Sequence, residues 1–318
     1  MESKLVFKRL IFVVFIAFFS TFLCFSMLYF SKGSIAYAKG TNAISLEAKE
    51  RLEKSFDLDK PLLKQYSSWL FKALRGDFGV SLIHGEEIVS LIKERFFNTL
   101  ILSLSAFFVL FLASLTLGIL CLLYPNSLLE KLIHILSMSF LALPSFALAL
   151  VFILFFAVFL QILPSSGTTD IGFEDDILNR INHLILPVCV LVLSHLAVFM
   201  QVAKTSLLES YEKPFILSAY ARGLSQIRII LHFTLKHALS PIISYFGACA
   251  LSFMMSAYVV ESVFAYGGLG NLMIESIIFK DYPVVLALVF VSVLLAGFFT
   301  FLADLICLFL NPRLRGIN

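Results

Sequence analysis

Residues 99–124 read TLILSLSAFFVLFLASLTLGILCLLY, an unbroken run with no charged side chain. At 1.5 Å per helical residue this is more than the roughly 20 residues needed to cross about 30 Å of hydrocarbon. Working outward from it, comparable stretches lie near 10–30, 135–160, 184–202, 242–263 and 284–310, so the chain carries six candidate crossings. The fold class expected is all-α, a polytopic membrane protein. The composition agrees: of 318 residues, 60% are apolar and only 14% charged. Mean hydropathy is +0.96, far from the near-even apolar share and quarter charged residues of a soluble domain. The 35 Phe against one Trp do not suit a water-facing shell, and 9 Pro argue against disorder.

The first crossing follows Lys4, Lys8 and Arg9 and precedes Ala36, Tyr37 and Ala38, which imitate a signal-peptide cleavage site. Its apolar part is longer than the roughly 7–15 residues of a signal h-region, so it is read as a retained anchor. Orientation follows from basic residues in the short connections. With the N-terminus inside, the cytoplasmic pieces hold Lys4, Lys8, Arg9, Lys131, Lys204, Lys213, Arg222, Arg228, Lys236, Arg313 and Arg315. The short outer loops hold only Arg180 and Lys280, with Asp170, Glu174, Asp175, Asp176 and Asp281 gathered there. Both termini are therefore expected in the cytoplasm. The net charge of +3 gives no basis for a nucleic-acid partner.

The organisation expected is 1–30 for tail and first crossing, 31–97 for an extracytoplasmic helical loop, and 98–318 for a five-helix core. In the outer loop, Ala48, Leu52 and Phe56 recur at i, i+4, i+8. Glu47 and Arg51, and Glu50 and Lys54, form acid-to-base pairs at i, i+4. A second amphipathic helix is expected from Pro61, with Leu62, Tyr66, Leu70 and Leu74 on one stripe and Gly76 as its stop. Both are expected to form a cap on the outer surface. Pro144 should kink the third crossing, either as a kink absorbed by packing or as a gating hinge. Asp304 lies near the inner end of the last crossing, beside headgroups or facing the protein interior.

The cytoplasmic connection 203–240 is neither Gly/Ser-rich nor a simple charge run. Pro214 opens a short helix through FILSAYAR, Gly223 supplies a left-handed close, and Ser225 is placed to cap a second helix through Gln226, Ile227, Ile230 and Leu231. Small residues beside a glycine permit close backbone approach, so a docking surface is one reading. A basic helix resting on the inner membrane surface, touching lipid, is the other.

The string SAYARGLSQIRIILHFTLKHALSPII (218–243) resembles the EAA-type cytoplasmic loop of ABC importer permeases, in the dipeptide, oligopeptide and nickel family. The resemblance extends to LDKPLLKQYSSWLFKALRGDFGVSL (58–82), with Asp59, Pro61, Gln65, Tyr66, Trp69, Gly76, Asp77, Gly79 and Ser81 in matching places. It continues in ESVFAYGGLGNLMIESIIFKDYPVV (261–285), at Glu261, Phe264, Gly268, Leu269, Gly270, Asp281, Tyr282 and Pro283, and in the tail NPRLR. Leu217 and Tyr220 stand where the family often has basic residues, and Gly267 where it often has proline.

The resemblance implies a type I importer permease fold in a prokaryotic inner membrane, with no catalytic site and no cofactor of its own. It implies separate ATP-binding subunits, an extracytoplasmic solute-binding protein and a second homologous permease in a heterodimer, for peptides or related solutes such as nickel chelates. Phe215, Ser218, Ala219, Ala221, Arg222 and Gly223 become the ATPase-coupling positions, with Ala219 and Gly223 as close-approach residues.

The residues exclude other chemistry. No G-x-x-x-x-G-K-[ST], H-E-x-x-H or G-x-S-x-G occurs. Ser194 and His195 are chain neighbours on different helix faces, and the five cysteines, all within apolar runs, read as small buried hydrophobes rather than metal ligands or disulfides. An ion-gradient-driven secondary transporter is the alternative, and it would show paired broken helices and buried ionisable groups near mid-membrane. Ser103, Ser105, Ser137, Ser139 and Ser252 suit either a weakly polar path or helix packing.

Overall fold

The structure, a computed structural model, describes residues 2–30 and 61–310. The expected helical run around 47–56 and the tail with Arg313 and Arg315 lie outside the described residues. Helix α1 (Glu2–Phe30) forms the first crossing. It is followed by α2 (Leu62–Leu74) and by α3 (Ile88–Leu123), which starts well ahead of the expected boundary at 98. Next come α4 (Leu128–Leu141) and α5 (Ser145–Phe152), the latter continuing as a π-helix through Ile153–Phe159. The long α6 (Ile177–Tyr211) leads to the short α7 (Pro214–Ala221). Helix α8 (Gln226–Ala248), α9 (Ala250–Val263), α10 (Leu269–Ile278) and α11 (Tyr282–Leu310) complete the order. Four helices are long and apolar enough to cross a membrane, and the bent pairs α4 with α5 and α8 with α9 bring the crossings to six.

The third crossing departs from the expected kink. Helices α4 and α5 meet at 102°, with Pro144 as the residue before α5. Proline has no N–H to continue α4, and it disfavours helical backbone at Leu143 before it, so the chain turns rather than bends. The helices flanking the cytoplasmic connection also run further than expected. Helix α6 continues to Tyr211 and α8 already begins at Gln226, so the connection is mostly folded into the ends of crossings four and five.

Lipid tails offer no hydrophobic drive between crossings, so the core must be held by close packing and hydrogen bonds. Leu102, Ala106 and Leu110 of α3 pack on Leu186, Val190 and Phe199 of α6 and on Ile242 and Phe246 of α8. Phe107 lies edge-on to Phe246 and Phe253, with ring centroids 5.1 and 4.7 Å away. Polar side chains mostly satisfy themselves locally: Ser137 and Ser139 return to the carbonyls of Ile133 and Ile135, each at 2.8 Å. Ser194 bonds the Val190 carbonyl at 2.8 Å and His195 the Leu191 carbonyl at 3.0 Å, so this pair forms no nucleophile and base.

Helix α2 sits differently from a surface cap. Its buried face is Gln65, Tyr66, Trp69 and Ala73, not the expected Leu62–Tyr66–Leu70–Leu74 stripe, and Leu74 is exposed. The aromatic contacts override the simple i, i+4 count: Tyr66 packs against Phe22 and Phe25, and Trp69 against Phe25 of α1 and Phe290 of α11. The Tyr66 hydroxyl reaches the Phe18 carbonyl at 2.9 Å and Thr21 at 3.0 Å.

Candidate functional site at the cytoplasmic turn

Between α6 and α8 the chain folds into a compact corner built on α7. Pro214 is its first helical residue, where the missing N–H costs nothing. At the other end Gly223, at φ +73°, donates its N–H to the Tyr220 carbonyl at 2.8 Å, and Leu224 donates to the Ala219 carbonyl at 3.4 Å. These two bonds are the Schellman closure, which needs a left-handed residue between them. Leu224 then packs in one cluster with Ile216, Ala219, Ile229, Phe215 and Phe233, the apolar contact that usually accompanies such a closure. Ser225 precedes α8 in extended conformation, but its side chain makes no cap hydrogen bond, contrary to the capping expected of it.

The corner is also fixed from the sides. Tyr211, last in α6, and Tyr220 are hydrogen-bonded through their hydroxyls, a contact that pushes the Tyr220 pKa up to about 12. Arg222 donates to the Ser218 carbonyl at 3.2 Å and lies 5.7 Å over the Phe233 ring. Phe215 packs against His237 with the rings tilted by 42° and 4.6 Å between centroids.

The structure brings all six expected positions together but divides them by direction. Ser218, Ala221, Arg222 and Gly223 are exposed. Ala219 is completely buried against Ile216 and Ile229, and Phe215 is half-buried, so these two anchor α7 to its own chain. The reading of Ala219 as a close-approach residue for a partner is corrected accordingly: its neighbours are Ile216 and Ile229 of this chain. Around Gly223 a side chain would meet nothing of this chain within 4 Å, so its backbone conformation is what demands glycine here. Two outward residues carried no signal in the sequence beyond their departure from the family pattern: Leu217, 75% exposed, and Tyr220 beside it. Alternation of burial along α7 puts them on its outer face, which helical spacing from the buried Ile216 and Ala219 could have revealed.

A second site lies on the extracytoplasmic side. Glu261, wholly buried at the end of α9, accepts the Gly270 N–H at 2.7 Å, and the Thr99 hydroxyl accepts the Leu269 N–H at 2.7 Å. Asp281, also wholly buried, accepts the Ser81 hydroxyl at 2.5 Å. Glu275 of α10 faces Arg95 at 3.5 Å and His84 at 3.7 Å. His183 places Nδ1 2.9 Å from the Ser166 carbonyl and Nε2 3.4 Å from Asp170. Among the described residues no group of His, Cys, Asp or Glu is arranged to hold a metal ion.

Six crossings, two of them bent at a break, and a helical corner joining the fourth to the fifth define a polytopic helical membrane protein. Residues 114–316 match the family described as "Binding-protein-dependent transport system inner membrane component", and the chain belongs to that family. It is 32% identical over 273 residues to the oligopeptide transport system permease protein AppB of Bacillus subtilis, covering 86% of each chain. It is 30% identical over 316 residues to the metal-staphylopine import system permease protein CntB of Staphylococcus aureus, covering 98% of each. Its fold matches a chain of the MetNI methionine ABC transporter in inward-facing conformation, with a TM-score of 0.55 at 18% identity, over 70% of this chain and 96% of that one. The protein is thus a multi-pass permease subunit of an ATP-driven, binding-protein-dependent importer in the bacterial plasma membrane. It is a transport component and not an enzyme, served by an ATPase and a solute-binding protein.

Proposed function

We propose that α7 is the coupling helix of this permease, docking into a groove on the ATPase with Leu217 as its apolar anchor. Ser218, Tyr220, Ala221 and Arg222 surround that anchor, while Phe215, Ala219 and Gly223 hold the helix in place. The observation that carries the reading is Leu217 itself, a large apolar side chain 75% exposed on a helix locked at both ends. A rigid corner between crossings four and five moves both when it is displaced, whereas a slack linker would absorb the motion. An in-plane lipid contact fits less well, because Arg222 is turned back over Phe233 and onto its own helix.

We further propose that the chain pairs with a second, related permease to form the pathway, and that its solutes are oligopeptides or metal chelates of similar size. The relatives named for peptide and metal-staphylopine import support that solute class. The test is Leu217→Asp in the reconstituted importer. Retention of ATPase on the permease should fall at least tenfold, about 1.4 kcal/mol, with the permease's own thermal stability unchanged; normal retention sinks the docking assignment.

A further inference from the structure

We propose that α2, which belongs by sequence to an extracytoplasmic loop, is embedded in the outer leaflet and presents its free face to lipid acyl chains. Depth is the first argument. The first crossing runs Ile11–Phe30, so Phe18 lies about 18 Å below its outer end at about 1.5 Å per residue. Tyr66 bonds the Phe18 carbonyl and Thr21 directly, and its ring packs on Phe22 and Phe25. A helix resting on top of the membrane cannot reach those partners.

The second argument is the pattern around α2. One side, Tyr66, Trp69 and Ala73, is buried against α1 and α11. About a third of a turn round the helix, Leu63, Phe71 and Leu74 are 68, 66 and 58% exposed. The apolar arc is therefore much wider than the face buried against α1 and α11, and its uncovered part is large apolar surface that water does not favour. Its charged residues are confined to one flank, where Lys64 and Lys72 recur at i, i+8 with Ser68 between them and Arg75 follows. Ser67, between Leu63 and Phe71, returns its hydroxyl to the Lys64 carbonyl at 3.0 Å, as a helix serine does in hydrocarbon. Helices lying within a membrane interface have this form: apolar surface toward acyl chains and a basic edge toward lipid phosphates and water. Backbone polarity raises no obstacle, since a helix satisfies its own N–H and C=O groups in hydrocarbon.

The test uses the assembled importer in lipid bilayers, with a spin label at Leu63→Cys, Phe71→Cys or Leu74→Cys in a background lacking the native cysteines, and Lys64→Cys as the polar-flank control. Relaxation by oxygen relative to a water-soluble nickel chelate should be several-fold higher at 63, 71 and 74 than at 64. Equal or greater exposure to the nickel reagent at the three apolar positions overturns the proposal, placing the face in water. Exclusion of both reagents there also overturns it, placing another subunit on the face. Should labelled variants fail to fold, an apolar carbene dissolved in the bilayer and applied to the unaltered chain should modify Leu63 and Phe71. Their absence from the mapped adducts overturns the assignment equally.

Discussion

Glu261 accepts the backbone N–H of Gly270 at 2.7 Å across a site closed to solvent, tying the outer end of the fifth crossing to the first turn of α10. A carboxylate at a helix N-terminus is favoured by the unpaired N–H groups there, and burial makes the loss of either partner expensive. A Cβ at position 270 would overlap the Tyr258 Cα, a backbone atom that cannot step aside alone. Gly270→Ala should therefore cost about 1–3 kcal/mol, the range of overpacked sites. Glu261→Ala, which strands a buried donor, should cost at least as much. Thermal unfolding in detergent gives the stability, and amide exchange at 269–272 gives the place. Unchanged exchange in both variants would show that α10 is held by something else.

Gly223 separates two demands that sequence inspection joins. Its φ of +73° excludes most side chains at a cost of about 1–2 kcal/mol, yet no atom of this chain lies where a Cβ would go. Gly223→Asn should therefore leave the corner nearly intact, because asparagine visits the left-handed region, while Gly223→Val should unwind the end of α7. If only the backbone matters, ATPase retention follows conformation and Asn behaves as wild type. Should Asn fail as badly as Val, the partner must approach the glycine itself.

The crossings were legible because apolar length is a one-dimensional signal, and the corner was legible because proline and glycine punctuate it. What periodicity could not show was which face of α2 turns inward. Its apolar arc is wider than one packing face, and the choice within it is made by the rings of Phe25 and Phe290, remote in sequence. Ala219 is ambiguous in sequence for a related reason: a small residue looks the same whether it yields to a partner or to Ile229 of its own chain. Pro144 marks the place of the break in the sequence but not its 102° angle, since a proline fixes where a helix stops and the packing decides how far the chain turns.

Ser81 and Asp281 join the outer loop to the start of the last crossing, 200 residues apart in sequence, through a 2.5 Å hydrogen bond. The Ile83 N–H adds a longer contact of 3.4 Å to the same oxygen. Ser81→Ala removes the stronger donor from a buried carboxylate and should cost about 1.5–3 kcal/mol. The loss should be local, with the turn at 76–87 cut faster by an added protease while the helical core resists. Digestion at the wild-type rate would mean that the Val80–Glu87 bridge holds the turn without this bond.

On the cytoplasmic side Lys204 of α6 pairs with Glu130 of α4 at 2.5 Å, and Glu130 also accepts the Asn126 N–H at 2.6 Å. Both side chains keep some solvent, 29 and 17% exposed, so the pair should contribute no more than about 1 kcal/mol in a double-mutant cycle. Its position matters more than its strength. Helix α6 runs on to Tyr211 and so to the corner built on α7, whereas α4 is the inner half of the crossing broken at Pro144. With α7 as the proposed docking helix, a push on it would reach the crossing broken at Pro144 along α6 and across this contact. Glu130→Gln should therefore leave ATPase retention near normal and reduce stimulation of hydrolysis by solute-loaded receptor. Charge reversal of both partners, Glu130→Lys with Lys204→Glu, should restore part of it. Full stimulation in the Gln variant would remove the contact from the relay, and loss of ATPase retention would show that it shapes the docking corner instead.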